Sequence, residues 1–418
     1  MRSKLRHLAC LTAVVAPPLL MTGGVASSAD EVFRPTVAIT LPQGQKVISF
    51  DISFVDPVLG IYILGDRTNV AVDVIDTDTN TVLTQLHANP PFKGATGNND
   101  TSGPDGVIVI RHREVWAGDG DSTVKVINLF SGQTTHVIST GGQNRADELC
   151  FDPRHRLVMV ANNADTPPFA SLISTDTYTV VKKIPFDGTN GAPNSNNGAE
   201  QCQWSHRTGK FYISIPGIAG LPTGTGGVAV IDPVSQKVET TFVIPLAACA
   251  APQGMAIGPD HQILLGCNAP SGTTNPTAII DERNGHVIAA VPNESGSDEV
   301  WFNPGDGHYF LARSSAVGAS QLLGVIDADL PGAGVRADES VFTSTKNIAG
   351  RNAHSVAADP VFNQVYVPIP AGNSTVCSAA GGGATADANG CIAVFTTPND
   401  DPSTRRQEAR EDRDRDRR

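Results

Sequence analysis

Hydrophobic residues in this chain come in short runs rich in Val, Ile, Leu, Phe and Tyr, separated by polar or Gly-containing turns. The clearest stretch is Asp147-Glu148-Leu149-Cys150-Phe151-Asp152-Pro153 followed by Leu157-Val158-Met159-Val160-Ala161-Asn162-Asn163. It reads as a strand, a tight turn at Asp-Pro and a second strand. Variants recur at Asp51–Pro57, Asp298–Pro304 and His354–Pro360, each with an acid or a His six positions before a Pro. Third runs such as Val70–Asp76, Val124–Asn128 and Val228–Asp232 follow, and then fourth runs such as Thr81–Leu86, Thr134–Ile138 and Val238–Val243. Four short β-rich runs joined by turns describe an antiparallel meander.

Such units begin at Asp51, Asp105, Asp147, Glu200, Gln253, Asp298 and His354. Repetition at this period predicts an all-β chain, a seven-bladed β-propeller of four-stranded antiparallel blades. The last unit is one strand short, and the isolated run Val37–Leu41 near the N-terminus is expected to complete it. Closing the ring this way removes an exposed sheet edge. Recurrence along the whole length disfavours a β-sandwich with a second domain.

The ends differ in kind. Residues 1–29 carry Arg2, Lys4 and Arg6, an apolar run from Leu8 to Met21 and small residues up to Ala29, which reads as a secretory signal peptide. The run is broken by Pro17 and Pro18 and is too short to span a bilayer. Residues 30–400 form the propeller, and residues 401–418, dense in Arg and acids, are expected to be a disordered charged tail. The chain is therefore expected to be secreted or periplasmic. With a formal charge of −12 and no other long apolar run, no membrane span and no nucleic-acid partner are expected, and the protein is expected to be a monomer.

Beyond Cys10 in the leader, six cysteines remain, an even number that suits disulfides in an oxidising compartment. No CxxC or Cys/His metal spacing is present. Cys377 and Cys391 flank the Gly/Ala-rich loop Ser378–Gly390 and would staple it. Cys150 and Cys202 lie in neighbouring registers of equivalent strands and would face each other between blades, leaving Cys249 with Cys267. Among the histidines, His112, His155, His261 and His308 fall at turns or strand ends and are expected to be solvated. His206 is placed in a turn. Tyr62, Tyr212, Tyr309 and Tyr366 lie on second strands and are expected in the core.

The second-strand pattern Val158–Asn163 and the third-strand patterns Val230-Ile231-Asp232 and Val74-Ile75-Asp76 resemble the YVTN-type repeat proteins, a secreted bacterial group of seven-bladed propellers. The likeness covers nearly the whole mature chain. It implies the fold, and its broader lactonase-like superfamily includes lactonases, heavy chains of amine dehydrogenases, surface proteins and a periplasmic DNA-binding protein. Fold alone does not choose among them.

Inserts at Asn89–Thr101, Pro185–Ala199, Gly217–Gly227 and Ala371–Gly390 draw on Gly, Pro, Asn, Thr and Ala. Loops of this kind carry specificity, so the rim they share is the expected binding face for a small molecule, glycan or protein. The seven starts converge on the central channel. Six of them, Asp51, Asp105, Asp147, Glu200, Asp298 and His354, are candidate metal ligands, since crowded carboxylates repel unless a cation or a hydrogen-bond network compensates. Oxygen donors favour Ca²⁺ or Mg²⁺. Hydrogen bonds to the next blade explain the same acids without a metal. Glu148 and Glu299, one residue further on, are expected to turn towards the blade interface by strand alternation. The leading functional expectation is a secreted binding or scaffold protein working through its loop-bearing rim. The alternative is a metal-dependent hydrolase or lyase acting on lactones, esters or uronate polysaccharides, with His354 and Glu200 as candidate catalytic groups. No motif for a redox cofactor is visible.

Overall fold

A computed structural model describes residues 33–268, 276–292, 294–314, 321–328, 337–344, 353–372 and 375–397. The leader and the charged tail read from the sequence lie outside these residues. The architecture is seven four-stranded antiparallel sheets. Their inner strands are Ser53–Asp56, Val107–Ile110, Leu149–Asp152, Cys202–Trp204, Pro252–Ile257, Val300–Asn303 and Ala357–Asp359, which define blades 1 to 7. In blade 7 the outermost strand is Arg34–Ile39, paired antiparallel with Cys391–Thr396, so the N-terminal strand closes the ring as expected.

The recurrent residues have local causes. Each Asp-Pro or Asn-Pro ends an inner strand and caps the turn that follows. Asp56 Oδ1 accepts from the amides of Val58 and Leu59 at 3.0 and 3.1 Å, Asp152 from Arg154 at 2.8 Å, and Asp359 from Val361 at 2.8 Å. Proline next in line presets the turn dihedral, while the carboxylate satisfies the amides that the turn leaves bare. The acids closing the third strands do the same: Asp76 takes the amides of Asp78 and Thr79, and Asp232 that of Val234. Blades 1 to 6 each carry a register shift at one equivalent point of the third strand, for example Val74/Ile75, Val126/Ile127 and Val230/Ile231. An extra residue there sharpens the local twist.

Apolar side chains fill the spaces between blades. The second-strand tyrosines are buried, as expected, and they link neighbouring blades. Tyr62 of blade 1 stacks on Tyr366 of blade 7 at 4.9 Å, Tyr366 Oη donates to Asn80 Oδ1 at 2.8 Å, and Tyr212 Oη of blade 4 donates to the Glu282 carbonyl of blade 5 at 2.8 Å. Cys150–Cys202 joins blade 3 to blade 4, Cys249–Cys267 pins the entry to blade 5, and Cys377–Cys391 spans the last insert, the three pairings expected.

Two expectations need correction. The insert bounded by Cys377 and Cys391 is no slack loop: Ser378–Gly382 and Gly383–Asn389 are helical, and Cys377, Ala380 and Ala386 are buried. Its small residues permit a close approach to the closing strand, where a Cβ on Gly382 would meet that of Ala38 at 2.8 Å. His308 is also not solvated. It opens the second strand of blade 6 at 8% exposure, edge-on to Phe33 at 5.8 Å. His112, His155 and His261 do sit at turns, paired with Asp56, Asp152 and Glu282, and His206 lies in the turn of blade 4.

The two ends of the propeller differ. The connections between first and second strands and, in blades 1 to 5, between third and fourth strands are short turns. All four inserts fall on the other two classes of connection, which open at the end where the inner strands begin. The rim expected from the sequence therefore surrounds the ring of acids.

Candidate functional site: the channel mouth

Backbone register brings the acids to one level. The amides of Asp51, Asp105, Asp147, Glu200 and Asp298 donate to the carbonyls of Gly65, Gly118, Ala161, Ser214 and Ala312, the equivalent point of each second strand, at 2.8–3.1 Å. Neighbouring blades meet so tightly here that side chains are excluded at the next position in blade 2. A Cβ on Gly106 would lie 2.1 Å from the Asp147 carbonyl oxygen and 2.7 Å from Leu149 Cδ1. Gly106→Ala is accordingly expected to cost about 1–3 kcal/mol through overpacking, read as a lowered denaturant midpoint. The same change displaces Asp147.

A cavity of about 290 Å³ opens at this level, walled by Phe50, Asp51, Arg67, Asn99, Arg145, Asp147, Glu148, Glu200, Asp298, Glu299 and His354 among others. Five of the six candidate ligands face it. Asp105 does not: it is fully buried against Arg67. Gln253, the seventh start, is half-buried and is not among the cavity's lining residues.

Two arginines that the sequence reading did not single out sit among the carboxylates. Arg67, from the turn between the second and third strands of blade 1, donates through Nε to Asp105 at 2.9 Å and through Nη1 to Asn99 at 2.7 Å. Its Nη2 is shared between Asp51 and Asp105. Arg145, two residues ahead of Asp147, pairs with Asp147 at 2.8 Å and reaches Asp51 at 3.6 Å. His354 Nε2 donates to Asp51 Oδ1 at 3.1 Å while its ring stacks on Phe50 at 4.9 Å. Much of the repulsion among the acids is thus relieved by guanidinium groups, in the manner expected of charge-assisted pairs.

This compensation is uneven. Burial pushes the Asp51 carboxyl up, but Arg67, His354 and Arg145 outweigh it and hold the group well below the usual carboxylate range. Burial wins at Asp147, pushed up to about 6 despite Arg145. It wins more strongly at Glu200, where Asp147 and Asp298 add repulsion and the carboxyl is pushed up to about 8. Asp298 is raised by burial, with His354 opposing. No arginine hydrogen bond reaches Glu200 or Asp298 among the described residues, and both keep part of their surface on the cavity. The mouth has an arginine-bridged side and an acidic side. Because these carboxyls ionise near pH 4 in the unfolded chain but hold protons to about 6 and 8 in the fold, their contribution to stability falls as pH rises across that window. Thermal melts are expected to show this decline, and Glu200→Gln is expected to flatten its upper part.

Below the ring, Glu148 and Glu299 both line the cavity and hydrogen-bond to each other. The expected split between channel and interface fails, since strand pairing begins only at Leu149 and Val300. Alternation does not govern the residues ahead of a strand. Burial drives both carboxyls well above their ordinary range.

The carboxylate oxygens of Asp51, Asp105 and Asp147 lie within 4.8 Å of one another, a spacing open to a metal ion. Arg67 and Arg145 already supply positive charge there, so the donor set fits a cation poorly on that side. Glu200, Asp298 and His354 face the same cavity, but among the described residues no other three such ligand atoms lie that close together.

No family model and no curated protein sequence matches the chain. Solved structures do. A chain of "Crystal Structure of Mitotic Checkpoint Complex" aligns over 94% of this chain and 99% of its own, with a TM-score of 0.55 at 11% identity. A chain of "Kuenenia stuttgartiensis Hydrazine Synthase" covers 79% and 96% with a TM-score of 0.58 at 15% identity. The Neurospora crassa Pan2 WD40 domain covers 88% and 97%, also with a TM-score of 0.58, at 11% identity. At such identities the likeness is one of fold: this chain is a seven-bladed β-propeller, similar in architecture to WD40 propellers.

Proposed function

We propose that the protein is an extracytoplasmic binding protein that takes a small, positively charged ligand at the insert-bearing mouth of its channel. The observation that carries this reading is the acidic side of the mouth. Glu200 and Asp298 face a cavity with no arginine hydrogen bond to either among the described residues, and the Glu200 carboxyl keeps its proton near neutral pH. An arriving cation replaces that proton and relieves the repulsion from Asp147 and Asp298. Three disulfides suit an oxidising compartment, and no helix among the described residues is long and apolar enough to cross a membrane. The secretory leader and the YVTN-type, lactonase-like pattern expected from the sequence agree with this reading. The neighbouring inserts extend the surface available to a glycan or protein carrying the charged group.

The test is calorimetry with a panel of primary and quaternary amines. Binding by the native chain and at least about tenfold weaker binding by Glu200→Gln/Asp298→Asn is the expected outcome, the loss of charge-assisted contacts being of that order. Equal affinity in the variant contradicts the reading.

One observation favours a second reading, a metal-dependent hydrolase or lyase. A carboxylic acid still protonated at neutral pH in the same cavity as an imidazole is the equipment of general acid–base catalysis, with Glu200 as acid and His354 as base or ligand. A divalent cation, Ca²⁺ or Mg²⁺ first, would have to draw Asp147, Glu200, Asp298 and His354 together around it, since their ligand atoms are not clustered at metal spacing among the described residues. About one equivalent of metal in protein purified without chelator, lost in Glu200→Ala/Asp298→Ala, is the result this reading requires.

A further inference from the structure

A cavity of about 400 Å³ opens on the insert-bearing rim and shares no lining residue with the mouth. Two inserts line it, 185–199 leading into blade 4 and 217–227 between the second and third strands of that blade. Backbone hydrogen bonds tie its walls together. The Asn196 backbone amide donates to the Gly217 carbonyl at 3.2 Å and that of Ala219 to the Asn194 carbonyl at 2.8 Å, with Ser195 and Ile218 bridged antiparallel. Only glycine leaves room at this seam, where a Cβ on Gly217 would lie 2.4 Å from Asn196 Oδ1. The Ala251 amide donates to the Gly224 carbonyl at 2.8 Å and the Asn268 amide to the Ala251 carbonyl at 3.1 Å, and Cys249–Cys267 holds the segments that carry Ala251 and Asn268. The cavity is therefore preformed, as small-molecule sites usually are.

Its lining differs in chemistry from the mouth. None of the described residues around it is titratable or aromatic. A charged ligand would lose its hydration without gaining a counter-ion, and a planar ring would find no ring to stack on. The lining offers aliphatic surface at Ile218, Leu221 and Pro222, together with groups that both donate and accept. The side-chain amides of Asn196 and Asn197 are exposed and have no hydrogen-bond partner among the described residues. Thr225 is only 8% exposed, yet its hydroxyl has no such partner either and is not shut off from solvent. A hydroxyl fixed in a nearly buried side chain and left open is the kind of placed polar contact that orients a ligand. A sugar ring matches both halves of this lining, with hydroxyls that donate and accept and C–H faces that lie on aliphatic side chains.

We propose that this rim cavity is a carbohydrate subsite for one neutral sugar residue, held by the side chains of Asn196, Asn197 and Thr225. It gives the inserts a ligand of their own and does not depend on a cation at the mouth.

The experiment titrates the full chain with the methyl glycosides of glucose, galactose, mannose and N-acetylglucosamine. Calorimetry reads the affinity, and the side-chain amide signals of Asn196 and Asn197 in ¹H–¹⁵N spectra read the location. Saturable binding of at least one glycoside, with shifts of both signals, is expected. Thr225→Val keeps the side-chain shape and deletes the hydroxyl, and it is expected to weaken that binding roughly fivefold, the value of one hydrogen bond. Asn196→Ala/Asn197→Ala changes only exposed side chains, so the fold is expected to persist while affinity falls at least about tenfold. Glu200→Gln/Asp298→Asn is expected to bind the glycoside as the native chain does, which separates this site from the mouth. Absence of saturable binding by any of these glycosides, an affinity unchanged in Asn196→Ala/Asn197→Ala, or binding lost in Glu200→Gln/Asp298→Asn overturns the assignment.

Discussion

Arg67→Ala is expected to destabilise the protein by about 3–5 kcal/mol, the range for breaking a buried ion pair from one side. The guanidinium is almost fully buried and serves Asp51, Asp105 and Asn99 together. Its removal leaves two buried carboxyls with less positive charge, against the burial and the repulsion from Asp51 and Asp147 that already drive Asp105 well above its ordinary range. Chemical denaturation measures the loss. Replacing the acids as well, in Arg67→Met/Asp51→Asn/Asp105→Asn, is expected to restore most of the stability, because the charges needing compensation are gone. The pH dependence has a definite sign. Asp51 is held below its unfolded value, so its pairing stabilises the fold above about pH 4. That contribution is lost as pH falls further, and the variant lacks it throughout.

Removing the inter-blade disulfide, as Cys150→Ser/Cys202→Ser, ranks second. The bridge closes a loop with a sequence separation of 52 between blades 3 and 4. Loop-closure entropy puts its contribution at about 4 kcal/mol. The variant is expected to show an earlier denaturant midpoint, with the fold kept by the remaining blade contacts. Reduction of Cys377–Cys391, which closes a shorter loop with a separation of 14, is expected to cost less, about 3 kcal/mol.

The repeat was legible because each recurring residue answers a local demand. Asp152 caps a turn, Pro153 presets it, and Asp232 caps the next turn; such demands act within a few residues and so leave a linear pattern. Ring closure by Arg34–Ile39 followed from counting strands, and the disulfides followed once the repeats were aligned. Five of the six candidate ligands meet at the mouth for the same reason. What the pattern hid was the company they keep. Arg67 comes from a different connection of the blade than Asp51, and only the packing of blade 2 on blade 1 sets it against Asp105. Arg145 was closer to view, two residues before Asp147, where a cation beside a ring acid was the available signal. The facing of Glu148 and Glu299 was misread because alternation was applied ahead of the strand. A second cavity lower in the channel is lined from six blades, a convergence with no signature in any single repeat.

The most direct measurement is the number of protons released when the native chain binds an amine at pH 7, obtained by calorimetry in buffers of different ionisation enthalpy. A Glu200 carboxyl titrating at about 8 is mostly protonated at that pH and gives up its proton to make room for the cation. The account predicts release of nearly one proton, abolished in Glu200→Gln. Binding without proton release, or release that persists in Glu200→Gln, contradicts it.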